Sequence, residues 1–364
     1  MNEWFEKYFS NTSAGSGNQH AFRAQEGKEY TSRVYYKVFA GGEYGYSFLY
    51  SNVLDSTFAD GSLSNCNMLC EPWRILSASV GVCAQCGPDD PAQPRDVQRL
   101  TFAGSEQKQA APGEFFATDE VRIRAEAGEY LCVEMRFCGS LIPCHPESII
   151  PAFLLEEGQW TPSQQLPFAS MVGCDRPVRA RVGFMGDSIT QGIGTPNNSY
   201  AHWMALCAQE IGGEYGWWDL GLGYARAYDA SSNGAWLYKG KQCDFAVVCY
   251  GTNDVAVGRT PRQIADDLRR IVDKLHEAGV KVLLQSLPPF DWTGENLEKW
   301  LETNRIVRGE LACAAEAFFD VVPVLTDDEQ GGACLYGSHP DETGCAKWAE
   351  ALTPVLRAFL QEQA

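Results

Sequence analysis

Histidine is scarce in this chain, five among 364 residues, and basic side chains are outnumbered: 29 Lys and Arg face 47 Asp and Glu, for a formal net charge of −18. No cluster of Lys and Arg builds the basic face that phosphate recognition needs, which excludes nucleic acid as a partner and makes acidic polymers poor substrates. No run approaches the roughly 18 to 20 apolar residues that span a bilayer, so no membrane partner is expected. The opening stretch MNEWFEKYFSNTSAGSGNQ has no basic leader followed by an apolar run, so a secretory signal is not expected and a cytoplasmic protein is. Phosphate loops are missing too, because GDSITQG at 186–192 lacks the Lys-Ser/Thr end of a P-loop.

What remains is an ordinary globular composition, 45% hydrophobic and 21% charged. The length favours two domains, each with its own core. Fourteen cysteines are many, but Cys132, Cys207, Cys249 and Cys313 fall inside apolar patterns, as buried free thiols do. Cys66, Cys70, Cys83 and Cys86, spaced C-x3-C-x12-C-x2-C, come near zinc-site spacing. A zinc site and a set of incidental thiols in a loop-rich insertion are both compatible with that spacing.

The two halves differ in pattern. Over 28–155, short alternating or β-branched runs such as TSRVYYKVF, YGYSFLYSNV, ILSASVGV and YLCVEMRFCG are broken by Gly, Pro, Asn and Asp. They read as antiparallel strands of a sandwich or jelly roll. After Ala180, apolar strand candidates (RVGFMG, CDFAVVCYG, VKVLLQSL) alternate with long amphipathic segments, among them PRQIADDLRRIVDKLHEAG. Strands without polar alternation are buried on both faces, and intervening helices imply a parallel, doubly wound α/β sheet. The expected division is an all-β, jelly-roll-like domain over 1–170 and an α/β domain over 178–364, with the Pro-rich stretch 160–179 as linker.

Open α/β sheets bind ligands beyond the carboxyl ends of their strands, and three polar groups fall there. Gly186-Asp187-Ser188 follows an apolar strand and precedes a helix, a turn that projects a serine hydroxyl from the sheet edge. Gly251-Thr252-Asn253-Asp254 follows FAVVCY, where the Asn253 amide can donate to an oxyanion. Gly337-Ser338-His339-Pro340 precedes the C-terminal helix and supplies an imidazole able to accept the serine proton near neutral pH. His20 lies in a polar stretch, His145 in the β half, and His202 and His276 within helices, so elimination points to His339 as the base.

GDSITQG, YGTND and SHPDETG, in that order, resemble the blocks of the SGNH/GDSL hydrolases over about the last half of the chain. The resemblance implies a serine esterase with Ser188 as nucleophile and His339 as base. It also implies an oxyanion hole formed by the Ser188 amide, a glycine amide and Asn253, with Asp187, Tyr224 and Tyr336 in supporting positions and no cofactor or metal. Two departures stand out. Counting from Asp219, where the family usually has asparagine, the oxyanion glycine falls on Tyr224; Gly223 just before it is the favoured donor. The acid that the family carries three residues before the histidine is replaced by Tyr336. Loss of the aspartate in a triad costs up to about 10⁴ in turnover when nothing replaces it. Either Ser188 and His339 act as a dyad with a backbone carbonyl holding the ring, or Asp327, Asp328 or Asp341 reaches it. The dyad is favoured, as in certain two-domain carbohydrate esterases of this superfamily.

AGGEYGYSFLYSN, LTFAG and APGEFFATDEV resemble the β-sandwich that precedes the SGNH domain in some bacterial acetyl esterases and acyltransferases, with Tyr50, Ser51 and Asn52 as residues of interest. Tyr200, Trp217, Trp218, Tyr224, Trp236, Tyr238 and Trp292 flank the catalytic blocks and could stack on sugar rings. The expected substrate is therefore a small-molecule or carbohydrate ester carrying an acetyl or similar acyl group. An acyltransferase using the same acyl-enzyme is the alternative, and a carbohydrate-binding protein with a decayed site is a third reading. Oligomeric state cannot be read from the chain.

Overall fold

A computed structural model describes residues 1–56, 67–87, 89, 91–232 and 234–362. The chain divides into two units: Met1–Val178 with Gly216–Trp218, and Arg179–Tyr215 with Asp219–Ala364.

The first unit is a β-sandwich. One sheet runs in the order Phe9–Ser10, Met171–Cys174, Gly42–Ser51, Phe115–Ala117, with Val121–Ala125 also paired to Gly42–Ser51. The other runs Gln159–Pro162, Ala152–Glu156, Tyr30–Lys37, Tyr130–Gly139, Trp73–Cys83, Arg95–Leu100, with Lys108–Ala110 beside Trp73–Cys83. The pairings are antiparallel. The central strand Tyr130–Gly139 follows the period of two: Val133, Met135 and Phe137 are buried, whereas Glu134 is half-buried and Arg136 exposed. Tyr50, Ser51 and Asn52 are buried, and Asn52 donates to the carbonyls of Glu71 and Ala111 at 3.0 Å each, so they stabilise a turn and present no surface.

The stretch expected to be a linker is partly sheet. Gln159–Pro162 and Met171–Cys174 pair with long neighbours, whose ladders supply the order that their Pro-rich surroundings do not signal. Of the four cysteines at near-zinc spacing, Cys66 lies outside the described residues. Cys83 and Cys86 pack with Tyr35, Cys132 and Phe153, whereas Cys70 packs with Ala21 and Leu54. These three act as small apolar core residues, in two separate clusters.

The second unit is α/β. Its sheet runs in the order Gly216–Gly221, Arg181–Gly186, Phe245–Cys249, Lys281–Gln285, Ala317–Phe319, and the last four strands pair in parallel. Apart from half-buried Arg181, Arg181–Gly186 is buried along its length, as a strand covered on both faces must be. The helix Pro261–Glu277 begins with a capping box between Thr260 and Gln263 and buries Ile264, Leu268, Ile271, Val272 and Leu275 on one stripe. The last helix, Glu342–Glu362, stacks Trp348 on Trp203 with ring centroids 4.6 Å apart. No described helix is long and apolar enough to cross a membrane.

Chain order reverses direction across the sheet between Arg181–Gly186 and Phe245–Cys249. Such a switch point opens a crevice at the carboxyl ends of the two strands. Ser188 leaves one of these strands and Asn253 the other.

Candidate active site

The nucleophile turn is built for close approach. A Cβ at Gly186 would overlap Thr190 Oγ1 and crowd the Cys249 carbonyl, so the strand can meet the following turn only with glycine there. Asp187 then caps the short helix Ser188–Gln191, its carboxylate accepting from the Ile189 amide at 3.0 Å. Burial pushes the Asp187 carboxyl up to about 7. As the first helical residue, Ser188 has no intrahelical acceptor for its own N–H. Its side chain points the other way, with Oγ 2.8 Å from His339 Nε2.

The donor side is stitched by hydrogen bonds. Leu222 N–H donates to the Gly186 carbonyl at 3.1 Å. Gly223 N–H donates to Gln191 Oε1 at 2.6 Å, and Gln191 itself is fully buried. Asn253 Nδ2 donates to the Ala225 carbonyl at 3.1 Å, which fixes the amide plane and leaves its second hydrogen for another acceptor. Asp254 accepts from the amides of Ala227 at 2.7 Å and Tyr228 at 3.3 Å. Burial pushes the Asp254 carboxyl up to about 7. The Gly223 amide, the favoured glycine donor, is engaged by Gln191 Oε1. Tyr224 has φ +61°, the left-handed backbone that glycine adopts without strain.

The base side is different. Burial lowers the pKa of His339 from its ordinary value, and no charged neighbour opposes the shift. No described carboxylate or carbonyl accepts a hydrogen bond from its second ring nitrogen. Asp341 accepts from Gly344 N–H at 2.9 Å at the start of the last helix, and Asp328 accepts from Gly331 N–H at 3.0 Å. Tyr336 lies against Gly344, and its carbonyl accepts from Asp341 N–H at 3.0 Å. The ring in contact with His339 is Phe290, edge to face at a centroid distance of 5.1 Å.

Residues 184–347 match the model of the GDSL-like Lipase/Acylhydrolase family. These residues form a GDSL-like lipase/acylhydrolase domain. It is thus a carboxylic ester hydrolase domain of the SGNH/GDSL type, preceded by a β-sandwich. Among solved structures, a carbohydrate acetylesterase family member from Sinorhizobium meliloti is similar at 19% identity, over 50% of this chain and 99% of that one, with a TM-score of 0.42. A carbohydrate esterase family 3 structure from Talaromyces cellulolyticus matches at 19% identity over 50% and 99%, TM-score 0.40. An inhibitor-bound aryl esterase of M. smegmatis matches at 20% over 49% and 99%, TM-score 0.39. No curated protein sequence matches the chain.

Most of the aromatics expected to face sugar do not. Tyr200, Trp217, Trp218, Trp236 and Trp292 are buried, and the Trp218 indole donates to the Ser170 carbonyl at 2.9 Å. Their size placed them in the cores. In the loop after Gly216–Gly221, Tyr224 is half-buried and Tyr228 is 46% exposed, with the guanidinium carbons of Arg226 and Arg259 at 5.4 and 4.7 Å from the Tyr228 ring. Gln191 and Phe290 were not singled out from the sequence, and Asp254 was named only within the GTND block. That block was the signal for Asp254; for the other two there was none.

Proposed function

We propose that the protein hydrolyses small O-acyl esters, acetyl esters of carbohydrate alcohols in particular, through an acyl-enzyme on Ser188. The observation that carries this reading is the 2.8 Å approach of Ser188 Oγ to His339 Nε2. The neutral imidazole takes the hydroxyl proton as Oγ attacks the acyl carbon. The carbonyl oxygen becomes an oxyanion, held by the Ser188 amide, by Asn253 and by the backbone at the Tyr224 slot. The imidazolium returns the proton to the leaving alcohol; the neutral imidazole then takes a proton from the water that attacks the acyl-enzyme and passes it to Ser188 Oγ as the acid leaves. Ser188 and His339 act as a dyad. The hydrogen bonds that Asp328 and Asp341 accept from the amides of Gly331 and Gly344, with none from the His339 ring to either, support this. The exposed Tyr228 ring supports a sugar alcohol as leaving group.

The test is hydrolysis of 4-nitrophenyl acetate, and of acetylated sugars, by the wild type and Ser188→Ala. The wild type is expected to release acetate and Ser188→Ala to lose at least about 10⁴ of that rate. Equal rates in both would refute the reading. Acetate transferred to an added alcohol in preference to water would identify an acyltransferase instead.

A further inference from the structure

A triad needs its third member to hold the imidazole in one orientation, and here no described acid does so. What the structure offers instead is an aromatic ring. Phe290 meets His339 edge to face, and it also packs against Trp292 at a centroid distance of 5.3 Å. The loop that carries it is fixed at both ends. Leu287 N–H donates to Asn304 Oδ1 at 2.8 Å, and the Trp300 indole donates to the carbonyls of Leu287 and Pro288 at 3.0 Å. On the far side, Trp292 N–H donates to the Gly332 carbonyl at 3.2 Å. Cys334 N–H donates to Asp291 Oδ1 at 2.8 Å, which ties the Phe290 loop to the loop bearing His339. A half-buried ring on so constrained a backbone can act as a wall.

The geometry points to Phe290 as the positioning residue of the base: its ring holds the His339 imidazole in the orientation that reaches Ser188, the task a carboxylate performs in a triad. This rests on the dyad reading above. A wall of this kind orients the ring without stabilising the imidazolium by charge, and by excluding water it favours the neutral, proton-accepting form. The ionisable groups on the surrounding loops make their contacts elsewhere than with the His339 ring. Asp291 is engaged with the Cys334 amide, Asp328 and Asp341 cap helices, Asp187 caps the nucleophile helix, and Tyr336 packs on Gly344.

The experiment is the pH dependence of kcat and KM on 4-nitrophenyl acetate for the wild type, Phe290→Ala, Phe290→Leu and Phe290→Tyr. Phe290→Ala is expected to lower kcat by about ten- to a hundredfold with little change in KM, as a misplaced catalytic group does. Its acid limb should move up toward the ordinary imidazole value. Phe290→Tyr should restore both. Phe290→Leu, which keeps an apolar wall but loses the ring, should lower kcat while leaving the acid limb in place, and it carries the test if Phe290→Ala does not fold. A Phe290→Ala enzyme with wild-type kcat and acid limb, a change confined to KM, or a Phe290→Leu enzyme with wild-type kcat would overturn the assignment. If Ser188→Ala is inactive while Phe290→Ala equals the wild type, only the role of Phe290 falls. If Ser188→Ala keeps the wild-type rate, the dyad reading itself falls.

Discussion

The two sides of the candidate site are held by different physics. The donor side, residues 221–228, is fixed by hydrogen bonds that its backbone amides donate to Gln191 and Asp254 and that its Ala225 carbonyl accepts from Asn253. The base side, residues 326–340, brings His339 to Ser188 with an aromatic contact and no carboxylate. An oxyanion demands donors fixed to within tenths of an ångström before the charge develops, and hydrogen-bonded backbone provides that. A histidine that alternates between accepting and returning a proton tolerates a softer mount. The comparison predicts that single substitutions on the donor side cost more, and cost it in kcat.

Among substitutions that leave Ser188 and His339 in place, the largest effect is expected from Asn253→Ala, which removes the proposed oxyanion donor: kcat on 4-nitrophenyl acetate should fall by about 10²- to 10³-fold with KM nearly constant. A loss confined to KM would place Asn253 in substrate binding. Next comes Gln191→Leu, which leaves the Gly223 amide buried without its acceptor. It should cost about 1 to 3 kcal/mol in urea unfolding, and lower kcat as the donor loop shifts. An unchanged midpoint would mean that the Gln191 bond does not fix the loop.

A smaller effect concerns pH and stability. The carboxyls of Asp187 and Asp254 are raised to about 7 by burial, far above an unfolded aspartate. The folded state therefore binds protons that the unfolded state releases, so this contribution is full below the unfolded value and is lost as pH rises through 7. Stability should fall by about 1 kcal/mol for each group between pH 6 and 8, and Asp254→Asn should flatten the dependence. Smallest is the position of the acid limb of kcat. Burial lowers the His339 pKa, so activity should persist below the ordinary imidazole value of about 6.5. A limb above that value would indicate an undetected carboxylate near the ring.

The architecture was legible where the pattern is local. RVGFMG and CDFAVVC have the unbroken apolar character of strands covered on both faces, and PRQIADDLRRIVDKLHE carries its own cap and stripe. Several strands were not legible. Met171–Cys174 is only four residues long in Pro-rich surroundings, and Ala317–Phe319 follows a helix that runs on through a π turn and a 3₁₀ turn. Ser188, Asn253 and His339 could be nominated because each follows a recognisable block. Gln191, Phe290 and the cap formed by Asp254 act across 32, 49 and 27 positions, and no spacing rule reaches that far. The buried tryptophans show the converse: residues suited to stacking on sugar are equally suited to a core, and only exposure separates the two.

The most direct test of the whole account is covalent trapping. The protein is incubated with diethyl 4-nitrophenyl phosphate at neutral pH and its peptides are weighed by mass spectrometry. The account predicts one diethylphosphoryl adduct on the peptide containing Ser188, formed far more slowly in His339→Ala and absent in Ser188→Ala. No adduct in the wild type, or the same adduct in Ser188→Ala, would contradict it.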